Sequence, residues 1–185
     1  MQVTYKAFTL CMCLLLACGC AKKDTTFLIS KGAIGALKNT NNASQLDSIF
    51  AADSVVKRSS KEDIVYTGGD SFLIYEKGGK HLFTATPSSK DTLKLIETIR
   101  IIDSRYKTDK GLGLESTFKD IRDNYTISGI QNSINSVVVF VNEIDAFITI
   151  DKKELPANLR YDSNIKIEAV QIPDTAKFKY FMLGW

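Results

Sequence analysis

The sequence predicts an α+β fold: two tandem helix-plus-antiparallel-hairpin units forming a mostly antiparallel sheet with helices on one face. Three observations predict it. Two short segments carry apolar residues at helical spacing. Each is followed by alternating, β-branched stretches around a turn signal. The whole pattern occurs twice, about 75 residues apart, which is longer than a solenoid repeat and suits a small α+β module.

The first unit, 27–98, begins FLISKGAIGALKNT and continues NNASQLDSIFAADSVVK. Leu46, Ile49 and Phe50 fall at i, i+3 and i+4, one face of a helix, with Asn42 or Ser44 as its N-cap. The hairpin SFLIYEKGGKHLFTATP places two apolar strands around Gly78-Gly79, a strong turn signal. The second unit, 99–185, begins IRIIDSRYKTDKGLGLES and continues TFKDIRDNYTIS. Phe118, Ile121 and Tyr125 repeat the helical face, with Ser116 or Thr117 as the cap. SVVVFVNEIDAFITIDKK repeats the hairpin, with its turn near Asn142 to Asp145. KKELPANLRY reads as a polar connection, and IKIEAVQIPDTAKFKYFMLGW as a β-rich close with a turn at Pro173-Asp174. Strict alternation sends Phe178 and Tyr180 to one face of the last strand, and Phe181 and Trp185 to the other.

With 44% apolar and 24% charged residues in 185, the chain suffices for one compact domain or two packed subdomains. A net charge of +3, with Lys and Arg scattered among Asp and Glu, lacks the concentrated basic face that a nucleic-acid partner requires. All four cysteines fall in the first twenty residues, so a disulfide framework or thiolate metal site in the folded part is excluded.

Residues 1–17 read as a signal peptide: Lys6 supplies the basic n-region, and Ala7 to Ala17 an apolar run too short to span a bilayer. Leu15-Leu16-Ala17-Cys18 resembles the lipobox of bacterial lipoproteins. Ala17-Cys18-Gly19-Cys20 is the alternative register, with a better residue before the cut and a poorer one at minus three. The stricter minus-three position favours Cys18 over Cys20. The resemblance implies a diacylglycerol-modified thiol, leader cleavage, and acyl chains (palmitate among them) on the new N-terminus. Each buried methylene contributes about 0.8 kcal/mol, so two or three chains hold the protein on the lipid bilayer. Residues 18–26 are then the acylated Cys and tether. With no Asp after either cysteine, the expected location is the outer membrane of the cell envelope, facing the periplasm or the surface.

The second-unit stretches GLGLESTFKDIRDNY and SVVVFVNEIDAFITI, with weaker echoes in the first unit, are similar to the tandem architecture of the beta-lactamase-inhibitor-protein family. They are also similar to small outer-membrane assembly lipoproteins that carry one such unit. The resemblance implies a fold; no contact residue of those families is carried over, because fold alone does not specify function.

The search for chemistry returns little. His81 is the sole histidine, beside the Gly-Gly turn, with no nucleophile elbow to pair it. Glu143 and Asp145 alternate and are expected on one side of the second hairpin, with Asp151 and Glu154 following. Two carboxylates across a cleft would serve a glycosidase, but a solvated rim satisfies the same spacing. Gly111-Leu112-Gly113 precedes a helix without a phosphate-loop lysine, so it reads as a turn. No cofactor or metal is expected. Tyr180 and Trp185 are the candidate partner-surface residues, since such aromatics are favoured at interfaces. The expectation is a non-enzymatic protein-binding or scaffolding module with an envelope protein as partner. The alternative is an envelope enzyme or small-ligand carrier with an acidic cleft between the units.

Overall fold

The computed structural model describes residues 24–59, 70–162 and 164–185. The leader and both candidate acylation sites, Cys18 and Cys20, lie outside the described residues.

The strands in chain order are β1 (Leu28–Ser30), β2 (Ala33–Ile34), β3 (Leu37–Lys38), β4 (Ser54–Arg58), β5 (Ser71–Tyr75), β6 (His81–Pro87) and β7 (Ile96–Ile101). There follow β8 (Lys107–Thr108), β9 (Gly129–Asn132), β10 (Ser136–Val141), β11 (Ala146–Asp151) and β12 (Phe178–Gly184). Helix α1 (Leu46–Ile49) precedes β4, and α2 (Phe118–Asn124) precedes β9. The large sheet has the order β4-β5-β6-β7-β12-β11-β10-β9, every pair antiparallel. Each helix is therefore followed by a four-stranded meander. The two meanders enter from opposite edges and meet at β7 and β12. β7 spans the point, between 98 and 99, at which the sequence pattern divides, and it pairs with β6 on one side and β12 on the other.

Side chains alternate along a strand, so cross-strand partners form rows. One row runs Val55–Ile74–Phe83–Ile101–Phe181–Ile148–Val139–Ile130, one residue from each strand of the large sheet. Its six central members are at most 1% exposed. This is the core face, and both helices pack on it. Leu46 and Phe50 from the α1 region, with Phe118, Ile121 and Tyr125 from the α2 region, join one hydrophobic cluster with it. Phe50 meets Phe83 edge-on, ring centroids 5.6 Å apart.

The helices end alike. The Phe50 N–H donates to the Leu46 carbonyl and the Tyr125 N–H to the Ile121 carbonyl, and both aromatic rings are buried. Asn42 caps the 3₁₀ turn that leads into α1, its backbone N–H bonded to Gln45 Oε1 (3.0 Å). Thr117 caps α2, its N–H bonded to Asp120 Oδ2 (2.7 Å). Such reciprocal caps satisfy donors that the first helical turn leaves unbonded.

A second sheet, order β3-β2-β1-β8, closes the core. β1 and β8 are parallel, with Leu28 opposite Lys107 and Ile29 opposite Thr108. FLISKG, at the start of the first unit, and YKTDKG, in the opening loop of the second, thus lie side by side, Phe27 edge-on to Tyr106 at 5.2 Å. Leu37, Ile34, Ile29 and Thr108 form its inward row and are all buried. Gly35, at φ +54°, lets β2 turn into β3 against the incoming chain; a Cβ there would sit 2.6 Å from the Thr26 carbonyl oxygen.

Two expectations fail at the C-terminus. Of IKIEAVQIPDTAKFKYFMLGW, Phe178–Gly184 alone is strand. The preceding carbonyls of Ala176 and Asp174 instead accept from the N–H groups of Phe118 and Lys119, at the start of α2, so that stretch serves a helix rather than a ladder. Alternation also breaks within β12. Phe178 faces Ile150 and Tyr180 faces Thr149, leaving Lys179 as an extra residue in a bulge. Phe178 therefore turns to the core and meets Phe181 edge-on, rather than sharing a face with Tyr180. The KKELPANLRY connection is two 3₁₀ turns, Lys152–Glu154 and Ala157–Leu159, that bury Leu155 and Leu159.

Candidate functional site

The acids singled out by the sequence do not converge. Glu143 lies within a 3₁₀ turn, Asn142–Ile144, and Asp145 ends it at φ +53°, so the two do not alternate along a strand. Glu143 accepts from the Thr126 N–H (2.7 Å) and, more distantly, from Lys110 (3.4 Å). The hydrogen bonds from Thr126 hold its carboxyl below the ordinary value. Asp145 Oδ2 accepts from the Gly32 N–H (3.0 Å), joining the second hairpin to the small sheet. Asp151 lies at the far end of β11, some six residues or about 20 Å away. There it caps Lys153 N–H (3.0 Å) and pairs with Lys179 (3.0 Å). Glu154 accepts from the Lys177 N–H (3.2 Å). Each carboxylate holds backbone or a lysine in place. Among the described residues no group of three His, Cys, Asp or Glu side chains is placed to hold a metal ion.

His81 is half-buried, stacked on Tyr75 at 4.7 Å, with Nε2 3.2 Å from Thr84 Oγ1. Burial lowers its pKa; a backbone hydrogen bond involving Phe83 opposes this, and the charges of Arg100 and Arg58 add to it. The ring is thus neutral at pH 7. Held between the Tyr75 ring and the Thr84 hydroxyl, it packs the turn end of β5 and β6.

An ion cluster that the sequence reading does not single out sits beside it. The Asp103 side chain is fully buried and accepts from Arg105 (Oδ2 to Nη2, 2.7 Å) and Lys80 (3.1 Å). Arg105 also grips Glu76 with two hydrogen bonds, 2.8 and 3.0 Å, and lies over the Phe27 ring at 4.1 Å. Burial works to raise the Asp103 carboxyl, but the bonds from Arg105 and Lys80 outweigh it and hold it at about 2. The cluster locks the β5–β6 turn onto the small sheet. The Asp-Ser-Arg spacing was visible in sequence; Glu76, 29 residues from Arg105, carried no local signal. Next to it an open cleft of about 830 Å³ separates the Ala51–Ser54 turn from Tyr75–Gly79. Asp53 and Glu76 line it, whereas Asp145, Asp151 and His81 do not.

The other face of the large sheet is built differently. Its row runs Val56–Leu73–Thr84–Arg100–Met182–Phe147–Phe140–Gly129, again one residue from each strand. Alongside, Gln131, Val138, Thr149 and Tyr180 form a shorter second row. In the half contributed by β9–β12 the surface is apolar: Val138, Phe140, Phe147 and Met182 are all partly exposed. Phe147 folds over Gly184, where an added Cβ would lie 3.1 Å from the ring, and Phe140 covers Gly129, at 3.7 Å. The glycines let the rings lie flat on the sheet. Arg100 stands over the Tyr180 ring at 4.3 Å, between the apolar half and the more polar β4–β6 half. The α1 and α2 residues Leu46, Phe50, Phe118, Ile121 and Tyr125 join the hydrophobic cluster of the opposite face.

The two candidate aromatics part here. Tyr180 belongs to this open face. Trp185 packs against the core, its backbone N–H bonded to the Glu97 carbonyl (2.8 Å) and its buried indole N–H without a hydrogen-bond partner among the described residues.

No family model matches the chain, and no curated protein matches it either. Among solved structures, the uncharacterized protein yfeY from Escherichia coli is similar in fold, with a TM-score of 0.55 at 13% identity. The match covers 85% of this chain and 99% of that one. At that identity the likeness concerns the fold alone.

Proposed function

We propose that this chain is a lipid-anchored envelope protein that binds another envelope protein through the open face of its large sheet, without catalysis. One observation carries the binding reading: the partly exposed Val138, Phe140, Phe147 and Met182 form a contiguous apolar surface on the face opposite the core. Aromatic and Met side chains presented this way are typical of interface centres. The lipobox-like leader supports the anchor, with Cys18 as the acylated residue and Cys20 as the alternative. A shared membrane raises the effective concentration of a tethered partner, so a modest patch suffices for pairing. The non-catalytic reading is supported by the carboxylates, each of which secures a turn, a cap or a strand end.

Photo-crosslinking tests the surface. A benzophenone amino acid at Phe140 or Phe147, in intact cells, is expected to yield one discrete adduct, while the same group at exposed Tyr161 yields none. Repeated absence of an adduct from both phenylalanine positions would overturn the binding reading. For the anchor, Cys18→Ser and Cys20→Ser are each tested for incorporation of labelled fatty acid. Incorporation that survives both changes overturns the anchor assigned to these cysteines.

A further inference from the structure

We propose that the outward face of the four-stranded sheet β3-β2-β1-β8 lies on the bilayer and engages anionic lipid headgroups. The inference rests on the lipid-anchor reading above and adds an orientation to it. Its basis is where the chain enters the domain. Leu28 N–H donates to the Thr25 carbonyl, the Thr26 carbonyl packs against Gly35, and the Phe27 carbonyl accepts from the Lys107 N–H. The first described residues are thus fastened to the small sheet itself. From Cys18 to Asp24 is six residues, at most about 20 Å even fully extended. Acyl chains on Cys18 or Cys20 therefore keep the small sheet close to the headgroups.

The chemistry of that face matches its position. The register puts Lys38, Ala33 and Ser30 in one outward row and Leu28 and Lys107 in the next, opposite the buried Ile29, Ile34 and Leu37. Lys31 is exposed at the β1–β2 turn. None of Lys31, Lys38 and Lys107 has a salt-bridge partner among the described residues, whereas Lys110 beside them is paired with Glu143. Lys22 and Lys23 lie in the tether. The acids at this end are Asp109, Asp24, which is bonded to the Thr26 hydroxyl and N–H, and Asp145, whose carboxylate holds the Gly32 N–H. Lysines in excess of acids beside a lipid anchor are the pattern that anionic membrane surfaces attract, and salt weakens it.

The test uses the acylated full chain, purified from membranes and reconstituted into vesicles of phosphatidylcholine alone or with a third phosphatidylglycerol. Flotation is read first, then lysine reactivity toward an acylating reagent by mass spectrometry. The expected result is that Lys31, Lys38 and Lys107 react about fivefold more slowly on the anionic vesicles. That protection should vanish in 0.5 M salt on the order of a few-ångström screening length. Lys153, at the distant end of β11, should react equally on both. In the double variant Lys38→Gln/Lys107→Gln, the protection of Lys31 should fall away while flotation persists. Flotation with equal lysine reactivity on both vesicles, or protection of Lys153 instead, overturns this proposal and leaves the anchor standing. A chain that does not float removes the anchor, and this proposal with it.

Discussion

The two faces of the large sheet are drawn from the same eight strands, one residue apart, yet they differ in kind. The core row is β-branched or aromatic throughout and sealed by two helices and the small sheet. The open row has Thr84 and Arg100 near its middle, with Met182, Phe147 and Phe140 filling one half. A face evolved only for solubility would carry polar residues along its whole length, as most half-wet antiparallel sheets do. The difference teaches that the β9–β12 half is apolar on both faces. One side makes the fold, and the other retains apolar area the fold does not consume.

The largest effect is expected at the centre of the core row. Ile101 is flanked by Phe83 and Phe181 across the junction of the two meanders, all three buried. Phe181→Ala should cost about 4 kcal/mol, and Phe83→Ala a similar amount, because each leaves a cavity that the neighbours cannot fill. Urea unfolding measures both. If one were near neutral, the two meanders would not share a continuous core.

The ion cluster comes next. Asp103→Ala removes the buried carboxylate that accepts from Arg105 and Lys80 and should cost about 2 kcal/mol, the range of hydrogen bonds to charged groups. The wild type gives a pH signature for the same group. The folded carboxyl titrates at about 2, below its ordinary 3.8. A depressed carboxyl stabilises fully above the unfolded value and loses that contribution as pH falls through the folded one. Stability should therefore fall by on the order of 2 kcal/mol between about pH 4 and pH 2, over and above the trend of an Asp103→Asn variant. Parallel curves for the two proteins would show that the cluster contributes nothing.

Part of this comparison was legible in the sequence: HLFTAT and AFITI alternate, whereas SVVVFV and most of SFLIY are apolar on both faces and do not mark which face is the core. The helical faces of Leu46–Phe50 and Phe118–Tyr125 were plain, and both lie on the core. What failed depended on distant partners. The bulge at Lys179 is set by pairing with β11, and the irregular path before it by the unbonded start of α2. Asp145 is defined by Gly32, 113 residues away, so its apparent alternation with Glu143 carried no information. The bulge itself can be tested. Deleting Lys179 closes the bulge with Phe178 still opposite Ile150, removes the pairing with Asp151 and pulls the Ala176 and Asp174 carbonyls away from the start of α2. The expected cost is about 2 kcal/mol, less than the core row and more than the open one.

The smallest stability effect, and the most discriminating, concerns Phe147. It occupies the open row beside Met182 and Phe140 and covers Gly184. Phe147→Ala uncovers a glycine but opens no enclosed cavity, so unfolding should shift by only about 1 kcal/mol. Its crosslinking neighbour tells more. With the benzophenone at Phe140, the Phe147→Ala change should lower adduct yield at least about tenfold, the loss expected when a central interface aromatic is truncated. Phe181→Ala, by contrast, should lower stability and adduct together, in proportion to the folded fraction. A core-sized stability loss for Phe147→Ala with an unchanged adduct per folded molecule would mean that the phenylalanine serves the fold. The two faces would then differ in composition without differing in purpose.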